Sequence, residues 1–261
     1  MSNPISSSLQ GAVRTITIDN PPANCYSHEV MRALDEAILE ARFDDRTEVI
    51  LLRGSGDRFF CAGADIGMLG EVTSEWKYHF CLHANETLCR LEQTPKLTIA
   101  VLNGHCVGGG LEIALACDLR IGRREGGKIG LPEVNLGVLP GTGGTQRLVR
   151  TLGKVRALQW CISGKVVSFD EAHAEGLIQE LWEPADFEER VAEFADSFCS
   201  PKRASLAVGL IKRSIQSGSE MGLTEGLALE RELQQRLFIS RDSAEGIAAH
   251  NEKRTPHFEG N

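Results

Sequence analysis

Residues 97–118 read LTIAVLNGHCVGGGLEIALACD, and this stretch decides how the chain is built. Leu97 to Leu102 is apolar and β-branched and ends at Asn103-Gly104, the pattern of a buried strand. Gly108-Gly109-Gly110 then leads directly into Leu111 to Ala116, an apolar run at helical spacing. Strand, glycine loop and helix follow with no room for a long linker, so main chain must pass close to something in that loop.

Working upstream, the same unit recurs. Val13 to Ile18 alternates as a strand, Asn20-Pro21-Pro22 breaks it, and Val30, Met31, Leu34, Ile38 and Ala41 recur as one helix face. Val49-Ile50-Leu51-Leu52 is the next strand. Phe59-Phe60-Cys61-Ala62 precedes a second small-residue loop, Gly63-Ala64-Asp65, and a helix is expected from about Ser74 to Leu91. This repetition predicts a layered α/β core. Downstream of about Phe187 the strand signal vanishes and three amphipathic helical patterns follow, marked by Phe187, Val191, Phe194 and Phe198, then Leu227, Leu233 and Leu237. Ser200-Pro201 is a natural break, which divides the chain into a core over 1–200 and a helical region over 201–261.

The 261 residues are 42% hydrophobic, enough for one large core. No apolar run is long enough to cross a bilayer, and the start, MSNPISSSLQG, lacks the basic and apolar regions of a secretory leader. The expected location is the cytoplasm or a matrix-like compartment, with no membrane partner. Eight cysteines without a C-x-x-C pair read as reduced and structural. A formal charge of −8 offers no general attraction for nucleic acid, and the absence of G-x-x-x-x-G-K-[ST] excludes a P-loop.

Two unshielded N–H groups from the two glycine-rich loops could clasp one oxygen on which negative charge develops, each donor contributing on the order of 3 kcal/mol. Glu112 lies in the apolar run after the triple glycine, and Glu133 lies between Gly130-Leu131-Pro132 and Val134-Asn135-Leu136-Gly137. Carboxylates among apolar neighbours are costly unless used, and two of them fit paired acid and base work. Taken alone, each glutamate reads better as a solvent-facing residue, whereas each glycine cluster reads as a place where backbone meets ligand more readily than as a tight turn.

Four ordered motifs change that balance. They are Phe60-Cys61-Ala62-Gly63-Ala64-Asp65-Ile66; Asn103-Gly104 through Gly108-Gly109-Gly110-Leu111-Glu112 to Ala116-Cys117-Asp118; Gly130-Leu131-Pro132-Glu133; and Leu139-Pro140-Gly141-Thr142-Gly143-Gly144-Thr145-Gln146-Arg147-Leu148. Together they resemble the crotonase, or enoyl-CoA hydratase/isomerase, superfamily nearly end to end. The resemblance implies a spiral of repeated ββα units with a C-terminal helical region that builds a homotrimer, often paired into a hexamer. It also implies that the amides of Ala64 and Gly109 form an oxyanion hole for an acyl-CoA thioester. Ala62, Gly63, Asp65, Ile66, Gly108 and Gly141 would contact coenzyme A or the acyl group.

Glutamates at both positions 112 and 133 imply an enoyl-CoA hydratase, a hydro-lyase of acyl-CoA metabolism such as fatty acid β-oxidation. No cofactor or metal is expected, since coenzyme A is part of the substrate. Rival readings are isomerisation or cyclic dienoyl-CoA hydration on the same scaffold, and RNA binding as reported for a few relatives. The tail Glu252 to Phe258 resembles the closing motif, with Lys253 and Phe258 reaching a neighbour's coenzyme A site.

Some residues fall outside the pattern. Cys25-Tyr26 follow Asn24 where relatives carry small or aliphatic residues, Gly67 stands where lysine is frequent, and the 123–127 loop is about one residue longer than in the hydratases it resembles. His79, His83 and Glu86 share a helix face, which reads as an acyl-pocket wall or solvated surface more readily than as a metal site. Lys165, Lys202, Lys212 and Arg213 read as a solvated face. Asp118 reads as structural.

Overall fold

The computed structural model describes residues 3–261; Met1 and Ser2, the first two residues of the leader reading and of the 1–200 core, lie outside the described residues. The chain opens with a hairpin, β1 (Ile5–Gln10) and β2 (Val13–Ile18), in which Ile5 pairs Ile18 and Gln10 pairs Val13. Helix α1 (His28–Phe43) follows, capped by the Ser27 hydroxyl, which accepts from the Val30 amide.

Three turns of a spiral come next. β3 (Val49–Gly54) leads to β4 (Phe59–Cys61) and helices α2 (Ile66–Glu71) and α3 (Ser74–Glu92). β5 (Leu97–Leu102) leads to β6 (His105–Val107) and α4 (Gly109–Leu115). β7 (Leu119–Arg123) leads to β8 (Lys128–Gly130) and a 3-10 turn, Glu133–Leu136. Each turn adds one strand to each of two sheets. β2, β3, β5 and β7 lie parallel in the larger sheet, whereas β4, β6 and β8 lie parallel in the smaller one. The expected spiral of ββα units is present.

Strand alternation sorts the core. On β3, Ile50 and Leu52 enter the cluster between the sheets, while Val49 and Leu51 enter a second cluster on the opposite face with Leu97, Ile99 and Val101 of β5. Both strands are covered on both faces, which is why they read as continuous apolar runs. The two sheets approach closely at glycines: a Cβ on Gly54 would fall 2.2 Å from the Phe59 carbonyl oxygen, and one on Gly104 would fall 2.3 Å from the Arg58 carbonyl carbon.

Helices α5 (Gly144–Leu152) and α6 (Lys154–Ser163), strand β9 (Val166–Ser168), helix α7 (Phe169–Ala174) and strand β10 (Glu180–Trp182) complete both sheets, β9 antiparallel to β8 and β10 parallel to β7. Beyond β10 the described residues hold helices alone: α8 (Phe187–Asp196), α9 (Ser205–Gly218), α10 (Leu223–Phe238) and α11 (Arg241–Glu252). There are four helices where three patterns were expected.

One expectation fails here. Lys212 on α9 is not a solvated charge: its side chain is 7% exposed and its Nζ lies 2.8 Å from Asp118 Oδ2. Asp118 Oδ2 also accepts from the Thr98 amide at 2.7 Å and hydroxyl at 2.8 Å. Asp118 is thus structural as read, and the pair pins α9 onto β5. By contrast, Lys202 pairs with Asp196 while remaining 59% exposed, as expected of a surface residue. No described helix is long and apolar enough to cross a membrane.

Candidate active site

A cavity of about 400 Å³ opens where the ends of β4, β6 and β8 meet helix α3 and the 139–142 loop. Its lining includes Ala62, Gly63, Ala64, Ile66, Gly108, Gly109, Glu112, Glu133 and Gly141. Nine of the ten residues expected to form the site therefore share one hollow. Asp65 is the exception: its carboxylate caps α2 by accepting from the Met68 amide, its own amide donates to the Tyr26 carbonyl, and its carbonyl accepts from Leu69. A larger hollow of about 700 Å³ beside Arg147 and Glu220 shares Leu139 and Gly141 but reaches neither glutamate.

The two glycine loops touch at the cavity floor. A Cβ on Gly63 would fall 3.3 Å from the Gly109 nitrogen, and Gly63 takes φ of +93° and Gly108 +57°, which favour glycine. The amides of Ala64 and Gly109 have no acceptor among the described residues. For Gly109 the reason is helical geometry, since the first amide of a helix has no preceding turn to bond. For Ala64 it is the paired backbone around it, because the amides of Tyr26 and Asp65 bond across to Gly63 and Tyr26 and leave Ala64 between them unused.

Glu112, on α4, is 2% exposed. Its Oε1 accepts from the amides of Thr142 and Gly144, each at 2.7 Å, and its Oε2 accepts from the Thr142 hydroxyl. Burial raises its carboxyl above the ordinary range, opposed by these hydrogen bonds and by the charge of Lys77. The donors come from a loop held in shape by Gly143, at φ +114°, and by Arg147, which pairs with Glu92 at 3.0 Å. A Cβ on Gly144 would lie 2.7 Å from Pro140 Cβ and 3.1 Å from Glu112 Oε1, so a larger residue there would displace the loop that cradles the carboxylate.

Glu133 starts the 3-10 turn, behind Pro132. Its Oε2 is buried with no hydrogen-bond partner. Burial is the main cause that pushes its carboxyl up to about 7, and the nearby Glu112 adds to the rise. One Glu133 oxygen lies 3.1 Å from where a Gly108 Cβ would stand, so the bare glycine at 108 makes room for the second carboxyl.

Three contributors were not picked out by the sequence. Tyr26 lies over Gly109, whose added Cβ would meet Tyr26 Cε1 at 2.1 Å, and its hydroxyl is 3.1 Å from Thr142 Oγ1. Thr142 carries two of the donors to Glu112. Lys77, the single cation of the cavity lining, stands 5.0 Å above the Phe80 ring. Tyr26 was visible only as a departure from pattern, and Thr142 only as part of a motif.

The described residues hold no cluster of three His, Cys, Asp or Glu that could bind a metal. His83 instead packs edge-on against His28 at 5.5 Å. Phe258 packs on Gly246 of α11 in its own chain, and Lys253 is exposed.

The spiral and its cavity define an enzyme of the crotonase fold. Residues 8–261 match the family described as enoyl-CoA hydratase/isomerase. A short-chain-enoyl-CoA hydratase of Clostridium acetobutylicum is 35% identical, over 94% of this chain and 93% of its own length. The 2,3-dehydroadipyl-CoA hydratase of Escherichia coli K12 is 34% identical over 97% of both chains. A crystal structure of an enoyl-CoA hydratase from Geobacillus kaustophilus superposes with a TM-score of 0.96 at 41% identity, covering 100% of this chain and 98% of that one. The chain belongs to the enoyl-CoA hydratase/isomerase family.

Proposed function

We propose that the protein adds water reversibly across the 2,3 double bond of an enoyl-CoA to give a 3-hydroxyacyl-CoA. The observation that carries this reading is the convergence of two unlike glutamates on the cavity floored by the unused amides of Ala64 and Gly109.

The thioester oxygen sits on those two amides, which stabilise the enolate without having to reorganise. Glu112, with every protein hydrogen bond directed to its anion, takes a proton from water as the oxygen attacks C3. Glu133, with its unpartnered oxygen and raised carboxyl, delivers the proton to C2 as the enolate collapses. Both carboxyls act from one side, so the addition is syn, and each step reverses in dehydration. Water addition transfers no net electrons, so coenzyme A enters only as part of the substrate and no redox cofactor takes part.

An isomerase needs a single group to carry a proton between carbons. Glu112, a buried carboxylate with three donors assigned to it beside Glu133, favours hydration over that rival. The hydratase names of the Clostridium and Escherichia relatives point the same way. Residues 201–261 are assigned to subunit contact in a homotrimer or hexamer, supported by exposed apolar side chains such as Ile211, Ile215, Leu223 and Ile239. The working location is the cytoplasm, in acyl-CoA metabolism of the β-oxidation type. Purified protein incubated with straight, branched and cyclic enoyl-CoAs should bleach the conjugated thioester absorbance of at least one of them. Absence of bleaching across the series would remove the hydratase reading.

A further inference from the structure

We propose that Tyr26 is a positioning residue for the Glu112 carboxylate, acting through the hydroxyl of Thr142. The proposal rests on the hydration reading for its role in turnover, and on geometry for the linkage itself. Tyr26 is 2% exposed and its hydroxyl lies 3.1 Å from Thr142 Oγ1, which is bonded in turn to Glu112 Oε2.

The direction of this chain follows from counting protons. An ionised carboxylate only accepts, so the single Thr142 hydroxyl proton must go to Glu112. The Thr142 oxygen is then left to accept, and the Tyr26 phenol must donate to it. Burial pushes the Tyr26 phenol well up, which keeps its proton in place to do so.

The chain also decides which lone pair is free. Oε1 of Glu112 receives two amides, from Thr142 and Gly144, and Oε2 receives one hydroxyl. One acceptor position remains, on Oε2, and this is where the attacking water would be held. If the Thr142 hydroxyl were released to rotate, that position would no longer be unique.

The ring is well placed to hold it. Tyr26 stacks on Phe80 at 5.8 Å and rests on Gly109, where any Cβ would collide with it. The glycine that offers an amide to the substrate oxygen therefore also seats the ring that orients the acid opposite. Other charged or titratable groups lie around Glu112: Lys77 and Cys81 from α3, Glu133 from the 3-10 turn, Cys161 from α6, and Arg147 of α5 through the Thr142 carbonyl. None of them gives Glu112 a hydrogen bond.

Tyr26→Phe keeps the ring and removes only the hydroxyl. With an enoyl-CoA that the wild type hydrates, it should lower kcat by about three- to tenfold with KM within about twofold, and move the acid limb of kcat/KM upward. Thr142→Val should cost more, Thr142→Ser should recover most of the turnover, and adding Tyr26→Phe to Thr142→Val should cost nothing further, because the tyrosine acts through the threonine. Wild-type kcat in Tyr26→Phe, or losses that multiply in the double variant, would overturn the proposal. A 13C NMR titration of the Glu112 carboxyl reads the linkage without turnover. An unchanged titration in Tyr26→Phe would overturn the relay, whereas a shifted titration in a protein that hydrates nothing would uphold the relay and remove the hydratase reading.

Discussion

Glu112 and Glu133 face the same cavity with opposite hydrogen-bond endowments: three donors converge on the first, and one buried oxygen of the second has none. Glu112 lies close enough to help raise the Glu133 carboxyl, so the two titrate as a pair, and the first proton to bind goes where the anion is least supported. That residue is Glu133. The pair is therefore arranged to hold one proton near neutrality, on the group that gives it away in the proposed hydration.

Replacing either carboxyl by its amide tests the division of roles. Glu112→Gln and Glu133→Gln should each lower turnover by at least about a hundredfold while thioester binding survives. Steady-state kinetics together with titration of a nonreactive acyl-CoA separates the two effects. Near-normal turnover in either variant would contradict the two-acid mechanism.

The pH profile follows from the same pair. The proposed hydration needs the proton on Glu133, so kcat/KM should fall above about 7, the value to which its carboxyl is pushed. Dehydration needs the pair to hold the same single proton, so its profile should share that alkaline limb. Initial rates in both directions across neutral pH check this, and a flat alkaline side would be inconsistent with it.

Holding Glu133 in this setting costs stability. Its folded carboxyl is raised from 4.5 to about 7, so its favourable contribution is complete below about 4.5 and is lost as pH rises through about 7. Glu133→Gln should therefore be more stable than wild type in mildly alkaline buffer, by on the order of 2 kcal/mol once partial solvation is allowed for. The gain should vanish in acid. Urea midpoints at the two pH values measure it.

The Lys212 and Asp118 pair makes the contrasting case. Lys212→Met leaves a largely buried carboxylate without its cation and should cost about 3 kcal/mol. Turnover per folded molecule should be retained, because neither residue lines the cavity. A selective loss of kcat with full stability would mean that the pair serves the site.

What the sequence revealed divides along physical lines. β5 appears with the bounds read for it, Leu97–Leu102, because a strand covered on both faces leaves an unbroken apolar record. β1 escaped notice: Ile5–Gln10 is a polar edge strand, mostly exposed, whose pairing is supplied by β2. Both glutamates and both amides could be assigned by motif, since each lies within a short local run of sequence. The support for Glu112 could not, because Thr142 lies 30 residues away and Tyr26 a further 116 from Thr142, and no local pattern encodes a contact across such separations. Lys212 was misread for the same reason, its partner being on another layer.

The most direct measurement of the central claim is the fate of solvent oxygen. When an enoyl-CoA is incubated with the enzyme in 18O-labelled water, mass spectrometry should find one labelled oxygen at C3 of the product, formed in step with loss of the conjugated absorbance. A shifted double bond with no label incorporated would contradict the account.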